Sequence, residues 1–464
     1  MRRLILLCAS IVPLLLATHA SAQGASRAAP DSAPPPGQEP AEDEEVVVDV
    51  TSAVNQLPVL LIAAATDADR ALAEEVRKQV ELTGLFATLP VDKLALGMPE
   101  RSSWPGLALA AVVVERDPRA APMFPAVRST TWLRGIKDEV RRRELTEYPG
   151  AGALTPSTLA DAILEDVTGT RSNMSGRLLV TDASTAGERS VRVMGPDGTR
   201  GRRISGFDSL ARGGDFGPSG LVSYAAEDAN GKLALFREGQ RTPIAIPVRG
   251  YVQGISYCPD AARLALSMGV GSKVNTWVCE SLDQLRPMEA GTRSSLSASI
   301  NADGDVVHAV GPDQGPFAIL WNDKPVTPPG VWAAMPSFCT SGADKRVVYM
   351  VRSGVHWDVR ITSITTGLTR TVGYNAMAPA CSPDGRTVAY YTPARGGKGP
   401  GVYLVSDQGG TGHKAWNGAA VALRWAKGEA LPPRTVEKLP APTPAAPTDA
   451  AAQAPAAPTD AAAP

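Results

Sequence analysis

The sequence predicts a small α/β domain followed by a six-bladed all-β propeller. Two observations support the propeller: a short pattern that returns about every forty residues, and a turn followed by alternating apolar residues within each copy. The steps between copies are 41, 43, 38, 43 and 44 residues. A period near forty with several short strands per unit is typical of propellers. The copies start at Phe216, Tyr257, Ile300, Phe338 and Cys381, and a degenerate sixth copy starts at Trp425.

The cleanest copy shows how one unit folds. The turn Ser382-Pro383-Asp384-Gly385 has proline at its second position, where a fixed φ suits a turn. The β-branched and aromatic run that follows, residues 387–391, predicts a strand. Four antiparallel strands per unit and six units predict a closed ring over about residues 172–428. A seven-bladed ring or a β-sandwich are the alternatives; the regular spacing argues against the sandwich, and we find no seventh copy.

Composition divides the chain into five segments. Arg2 and Arg3 precede an apolar run and the small residues Ala20-Ser21-Ala22, which is typical of a cleaved export signal. No later segment is apolar enough to predict a membrane span, so we expect a periplasmic protein. The predicted segments are a signal peptide at 1–22, a disordered Ala/Pro/acidic tether at 23–45, the α/β domain at 46–171, the propeller at 172–428 and a disordered Ala/Pro/Thr tail at 429–464.

The α/β domain is predicted from alternating strand and helix signals. Apolar runs predict strands at 46–50, 57–65 and 107–115. Helical spacing predicts a helix over 68–83, after the N-cap Asp67 and ended by Gly84. A second helix is expected from Thr155 to Gly169, and the run Arg141-Arg142-Arg143 is expected to lie on a solvated helix face.

Four cysteines follow the predicted signal peptide, and an exported protein can oxidise them. Four cysteines allow three pairings. Local pairing would join Cys258 to Cys279 and Cys339 to Cys381. The alternative is that they are small buried hydrophobic residues.

Three stretches of this sequence resemble the TolB family of the Tol-Pal cell-envelope system. Leu82-Thr83-Gly84-Leu85-Phe86 is similar to the end of a family helix. Residues 159–163 and 167–171, with Thr168-Gly169, resemble the helix that enters the family's propeller. The blade motif matches more loosely, because the family's blades usually begin with Trp and only Trp425 keeps it. The resemblance covers about residues 46–428 and marks the chain as divergent.

The resemblance implies a non-enzymatic periplasmic scaffold that contributes to cell-envelope integrity. Its expected partner is a peptidoglycan-associated lipoprotein of the outer membrane or another envelope protein. Inner-membrane Tol components are a further partner that the family implies. The family's amino-terminal contact segment is replaced here by Ala/Pro/acidic sequence, so this chain is either a TolB or a paralogue with a different partner.

The residues themselves give no sign of catalysis. The formal net charge of −1 does not suggest nucleic acid as a partner. His308, His356 and His413 lack a second histidine at metal-ligand spacing, and we expect each to be structural or at the surface. We assign no catalytic, cofactor-binding or metal-binding residue. The alternative function is an exported propeller enzyme or a carbohydrate-binding lectin.

Partner binding is expected on one face of the ring. In each blade the first-to-second and third-to-fourth strand connections lie on one face, and these are tight turns such as Asp384-Gly385. The opposite face should carry longer loops, including 327–335, 353–358, 372–378 and 392–401. Trp, Tyr and Arg are favoured as interface anchors. The candidate binding residues there are Trp332, His356, Trp357, Tyr374 and Arg395; some of them could instead fill the entrance of the ring.

Overall fold

The computed structural model describes residues 57–91, 104–117, 120, 125–146, 155–206, 210–258, 263–288, 293–393, 399–428 and 430–438. The expected signal peptide, tether and strand at 46–50 lie outside these ranges, as does Arg395. Within them the chain forms a mixed sheet with two helices, followed by a ring of six sheets. In this part of the chain, no helix is long and apolar enough to cross a bilayer.

Five strands that precede the ring and one that follows it form a six-stranded mixed sheet. Its order is β2-β1-β3-β4-β5-β29, with β1 parallel to β2 and β3 and the other pairs antiparallel. Both faces of β1 are buried, as its continuous apolar sequence suggests. The strands are β1 (Val59–Ala64), β2 (Ala87–Pro90), β3 (Ala108–Asp117), β4 (Ala126–Leu133), β5 (Ile136–Thr146) and β29 (Thr435–Lys438).

Two helices, α1 (Arg70–Leu82) and α2 (Thr155–Thr168), share one apolar core with this sheet. One 3-10 turn, Asp67–Asp69, leads into α1, and the Asp69 carboxylate accepts the Thr66 hydroxyl at 2.7 Å. Gly84 ends the α1 region at a φ of +68°. A Cβ on Gly84 would come within 2.8 Å of the Ser406 nitrogen. Glycine therefore allows both the left-handed turn and the close approach to the ring.

Six sheets form the ring, and we number them as blades I to VI in chain order. Blade I joins β28 to β6, β7 and β8, so the last strand of the ring pairs with the first (Leu178 opposite Trp425). The ring is thereby closed by both of its chain ends. The strands of blades I to III are β6 (Arg177–Asp182), β7 (Ser190–Met194), β8 (Arg202–Arg203), β9 (Gly213–Phe216), β10 (Val222–Glu227), β11 (Leu233–Arg237), β12 (Tyr251–Tyr257), β13 (Leu264–Val270), β14 (Lys273–Cys279) and β15 (Arg286–Pro287).

The remaining blades each contain four strands in simple antiparallel order. Their strands are β16 (Ser294–Ile300), β17 (Val306–Gly311), β18 (Ala318–Trp321) and β19 (Lys324–Pro325) in blade IV, β20 (Ala333–Phe338), β21 (Arg346–Ser353), β22 (His356–Ser363) and β23 (Thr369–Gly373) in blade V, and β24 (Met377–Cys381), β25 (Thr387–Thr392), β26 (Gly401–Ser406) and β27 (His413–Trp416) in blade VI, with β28 (Ala420–Ala426) returning to blade I.

The position that marks the repeat is structurally equivalent in all six blades. In each blade it lies at the end of the innermost strand and pairs with the start of the next strand. The pairs are Trp425–Leu178, Phe216–Val222, Tyr257–Leu264, Ile300–Val306, Phe338–Val347 and Cys381–Val388. The six-bladed propeller predicted from the repeat is confirmed.

Blade II has three strands, whereas four were predicted. After β11, the ladder is continued by a hydrogen bond from the Ile244 N–H to the Leu235 carbonyl, at 2.7 Å. Pro243 and Pro247 flank this position and have no N–H to donate to the ladder.

The Arg141-Arg142-Arg143 run lies on strand β5, so the helical expectation is wrong. The Arg143 side chain is buried and donates to the Asp166 carboxylate from Nε at 3.1 Å and to Glu165 at 2.7 Å. These acidic residues lie on α2. Their charges make a buried arginine tolerable.

Part of the segment expected to be disordered from residue 429 instead forms strand β29, which pairs with β5. The Arg143 guanidinium donates to the Pro432 carbonyl at 2.8 Å, and Arg142 pairs with Glu437 at 2.5 Å. Without β29, the edge of β5 would have unpaired backbone groups.

One of the two predicted cysteine pairings is present. Cys339 and Cys381 form a disulfide, with their Cα atoms 5.2 Å apart. Cys258 and Cys279 are free and buried, so that pairing is wrong. Cys279 packs with Leu266 and other residues on one side of blade III, whereas Cys258 packs in a different cluster shared with blade IV. Their side chains therefore lie on opposite sides of the blade.

Asp161 on α2 fixes the entry into the ring. Its fully buried carboxylate accepts hydrogen bonds from the Ser172 hydroxyl at 2.5 Å, the Met174 N–H at 2.6 Å and the Ser175 N–H at 3.0 Å. Next to this site, the Asn173 carbonyl accepts the Trp425 indole N–H at 3.2 Å. The same loop therefore connects the second helix to the strand that closes the ring.

The two helices and the loop that follows α2 contact the ring on one of its faces. We call the face with the first-to-second and third-to-fourth connections the turn face, and the opposite face the loop face. On the turn face, Arg386 donates to the Thr170 carbonyl at 2.8 Å, and Gln79 donates to Asp197 at 2.8 Å. These contacts leave the described part of the loop face open for other interactions.

Candidate functional site

The described candidate residues gather around blade V on the loop face. Trp332 lies just before β20, His356 and Trp357 begin β22, and Tyr374 follows β23. Tyr374 is 77% exposed, Trp332 and His356 are partly buried, and Trp357 is only 6% exposed. Arg395 is outside the residues that the structure describes.

The connection between β21 and β22 is a tight hairpin, where a longer loop was expected. Ser353 pairs with His356, which leaves Gly354 and Val355 as the turn. Gly354 has a φ of +60°, a conformation that glycine accepts readily. Val355 is 72% exposed at the tip of this turn, so the strands carry an apolar side chain to the surface of the loop face.

Arg352 and the backbone hold Trp332 in place. The Arg352 N–H donates to the Trp332 carbonyl at 2.8 Å, and the Arg352 guanidinium carbon lies 5.6 Å from the centre of the indole ring. The ring packs on Gly315, where a Cβ would come within 2.7 Å of it. The site therefore has a flat aromatic surface covered by a cation, an arrangement common in protein recognition.

Trp357 supports the site from beneath. Its carbonyl accepts the Ala376 N–H at 2.7 Å, and the neighbouring Asp358 carboxylate accepts the Asn375 N–H at 3.0 Å. These bonds tie the connection that carries Tyr374 to blade V. Because its side chain is only 6% exposed, Trp357 supports the surface residues from within the blade.

The sequence prediction missed two members of this group. Arg352 lies on β21 and Val355 at the hairpin tip, and only the folded structure places Arg352 beside Trp332. We call the set the aromatic patch; it consists of Trp332, Arg352, Val355, His356 and Tyr374. Its chemistry is that of a binding surface with two aromatic rings, an apolar tip, a guanidinium group and an imidazole.

A fully buried histidine lies away from this patch. His308 in blade IV is fully buried, and its Nδ1 lies 2.6 Å from the Ser295 hydroxyl. Burial lowers the pKa of His308 to about 4. The neutral imidazole is therefore a structural element of the core. Within the described ranges, no three His, Cys, Asp or Glu side chains converge as a metal-ligand set.

Comparison with known proteins gives a structural likeness. No family model matches the sequence, and no curated protein matches it. The structure is similar to TolB from Acinetobacter baumannii, with a TM-score of 0.62 and 18% identity over 80% of this chain and 97% of that one.

Two weaker likenesses have TM-scores too low to support an argument. A protein assigned to TolB from Agrobacterium tumefaciens has a TM-score of 0.40 and 14% identity over 57% of this chain and 98% of that one. A puromycin-hydrolysing peptidase from Mycobacterium tuberculosis has a TM-score of 0.35 and 13% identity over 65% of this chain and 52% of that one. The likeness to the Acinetobacter baumannii structure confirms the predicted resemblance at the level of the fold, which is that of a divergent TolB-like propeller.

Proposed function

We propose that this protein is a non-enzymatic scaffold of the periplasm that binds another envelope protein through the aromatic patch. The observation that carries the proposal is the exposure of two large side chains on the loop face of blade V, Tyr374 at 77% and Val355 at 72%. Large apolar side chains exposed together on a rigid ring are typical of protein contacts. The partner is a peptidoglycan-associated lipoprotein of the outer membrane.

The remaining segments have roles in the same proposal. The signal-like start of the chain directs export, and residues 46–171, together with strand β29, form an α/β domain. This domain sits on the turn face, so it can contact inner-membrane Tol components while the loop face holds the lipoprotein. Neither contact requires a catalytic group.

Capture from cell-envelope extracts tests the proposal. The full chain should recover the peptidoglycan-associated lipoprotein, and the double variant Trp332→Ala/Tyr374→Ala should recover at least tenfold less. Leu368→Ala is the matched control, because Leu368 is 67% exposed and apolar but lies between β22 and β23 on the turn face of the same blade. Equal capture by the double variant and the wild type would refute the role of the patch. Specific signals on a glycan array would favour the lectin alternative.

A further inference from the structure

Two arginines lie together on the loop face between blades I and II. Arg189 immediately precedes β7, and Arg212 immediately precedes β9, the innermost strand of blade II. Their backbones are neighbours, because Arg189 forms a bridge with Leu210 and its carbonyl accepts the Ala211 N–H at 3.1 Å. The two side chains therefore start from adjacent points where the two blades meet.

The positive charge of this pair is poorly balanced. Among the described residues, Arg189 has no carboxylate within salt-bridge distance. Arg212 reaches Glu227 only at 4.0 Å, although its side chain is just 16% exposed, and its Nε is buried without a hydrogen-bond partner. The nearby Arg192, by comparison, has its charge balanced by the Asp182 carboxylate 2.9 Å from its Nε, although that Nε also makes no hydrogen bond.

This arrangement is costly without a counter-charge. Burial, and then the charge of Arg212, lower the pKa of Arg189. Arginine nevertheless stays protonated in proteins, so the two charges remain and repel each other. A partly buried cation that lacks its hydrogen-bond acceptors loses solvation without compensation. An anion placed between the two guanidinium groups would remove both penalties.

We propose that Arg189 and Arg212 form a binding site for an oxyanion, either a carboxylate or a phosphate group. The planar fork of N–H donors on each guanidinium matches the paired oxygens of these groups and can bind them in bidentate fashion. The site lies three blades from the aromatic patch around the six-bladed ring. It therefore does not depend on the proposed function.

Calorimetric titration of the full chain at constant ionic strength tests the site. The probes are inorganic phosphate and malonate, titrated separately so that the phosphate and carboxylate forms of the ligand are distinguished. Saturable binding of at least one probe is expected, weakened at least tenfold in Arg189→Gln and in Arg212→Gln. Arg241→Gln, an exposed arginine on the connection after β11 on the turn face of blade II, should bind like the wild type.

The variant Glu227→Gln tests the site with an expected gain of anion affinity. Glu227 is the carboxylate nearest Arg212 and competes with a bound anion, so its neutralisation should tighten binding several-fold. If an Arg→Gln variant does not fold, Arg189→Lys keeps the charge, loses the bidentate fork and should still weaken binding. The proposal is overturned if neither probe saturates, or if the arginine variants bind like the wild type. Unchanged anion binding in Trp332→Ala/Tyr374→Ala would separate this result from the test of the aromatic patch.

Discussion

Replacing both Cys339 and Cys381 by alanine is expected to lower the free energy of unfolding by about 4 kcal/mol. The disulfide closes a loop with a sequence separation of 42 residues and joins the innermost strands of blades V and VI. For a loop of this length, chain entropy predicts a loss of about 13 cal/mol/K in the unfolded state, which gives that figure at room temperature.

The native state should survive the loss, because other bonds join the same two blades. The buried Arg346 donates to the Cys339 carbonyl at 3.1 Å and to the Gly385 carbonyl at 2.6 Å, and it forms an ion pair with Asp407. These bonds do not involve the sulfur atoms. The decrease in stability should therefore come mainly from the unfolded chain.

Urea unfolding of the oxidised protein provides the assay, with Cys258→Ala/Cys279→Ala as the matched control. The control removes two buried thiols but no cross-link, and should cost roughly 1 kcal/mol per residue. Wild-type protein treated with a reductant should unfold at the urea concentration of the Cys339→Ala/Cys381→Ala variant. An equal loss in the two double variants would refute the reasoning, as would a reductant that leaves wild-type stability unchanged.

Three further predictions concern stability and reactivity. Asp161→Ala leaves several buried donors unpaired and should lower the free energy of unfolding in urea by on the order of 4 kcal/mol. The control Asp67→Ala removes an exposed ion pair and should lower it by under about 0.5 kcal/mol. Equal losses in the two variants would contradict the role of Asp161. Because burial lowers the pKa of His308 from 6.5 to about 4, stability should be lost as pH falls through this window, by about 3 kcal/mol in total. His308→Gln should flatten that pH dependence, and an unchanged slope would contradict the prediction. Burial raises the pKa of Cys279 to about 11, so native protein at pH 8 should resist alkylation there until it is unfolded; rapid native labelling would be the contrary result.

The repeat predicted the ring well because its chemistry is local. A turn, its glycine and the strand that follows lie within about ten residues, so the local sequence of each copy is enough to predict its turn and strand. Gly84 and Gly169 were likewise identified as helix ends, and both have positive φ. A closed ring was predicted, but the strand pairing that closes it was not, since the pairing of Trp425 with Leu178 joins residues at opposite ends of the propeller.

The errors arose where distant charges or register decide the structure. The charged residues next to Arg143 in the sequence suggest a solvated side chain. Only the folded structure places Asp166 on α2 beside it. The polar sequence of β29 gave no strand signal, and that strand depends on pairing with the edge of β5. Trp357 has the residue type of an interface anchor, but strand alternation points its side chain towards the core. Val355, at the hairpin tip, is exposed.

Site-specific photo-crosslinking in the cell envelope tests the central proposal most directly. A photoreactive phenylalanine analogue at position 374 would lie on the loop face, and the same analogue at position 368 would lie on the turn face of the same blade. We predict a crosslink between position 374 and the peptidoglycan-associated lipoprotein, and none from position 368. A crosslink to that lipoprotein from position 368 alone, or from neither position, would contradict binding through the aromatic patch.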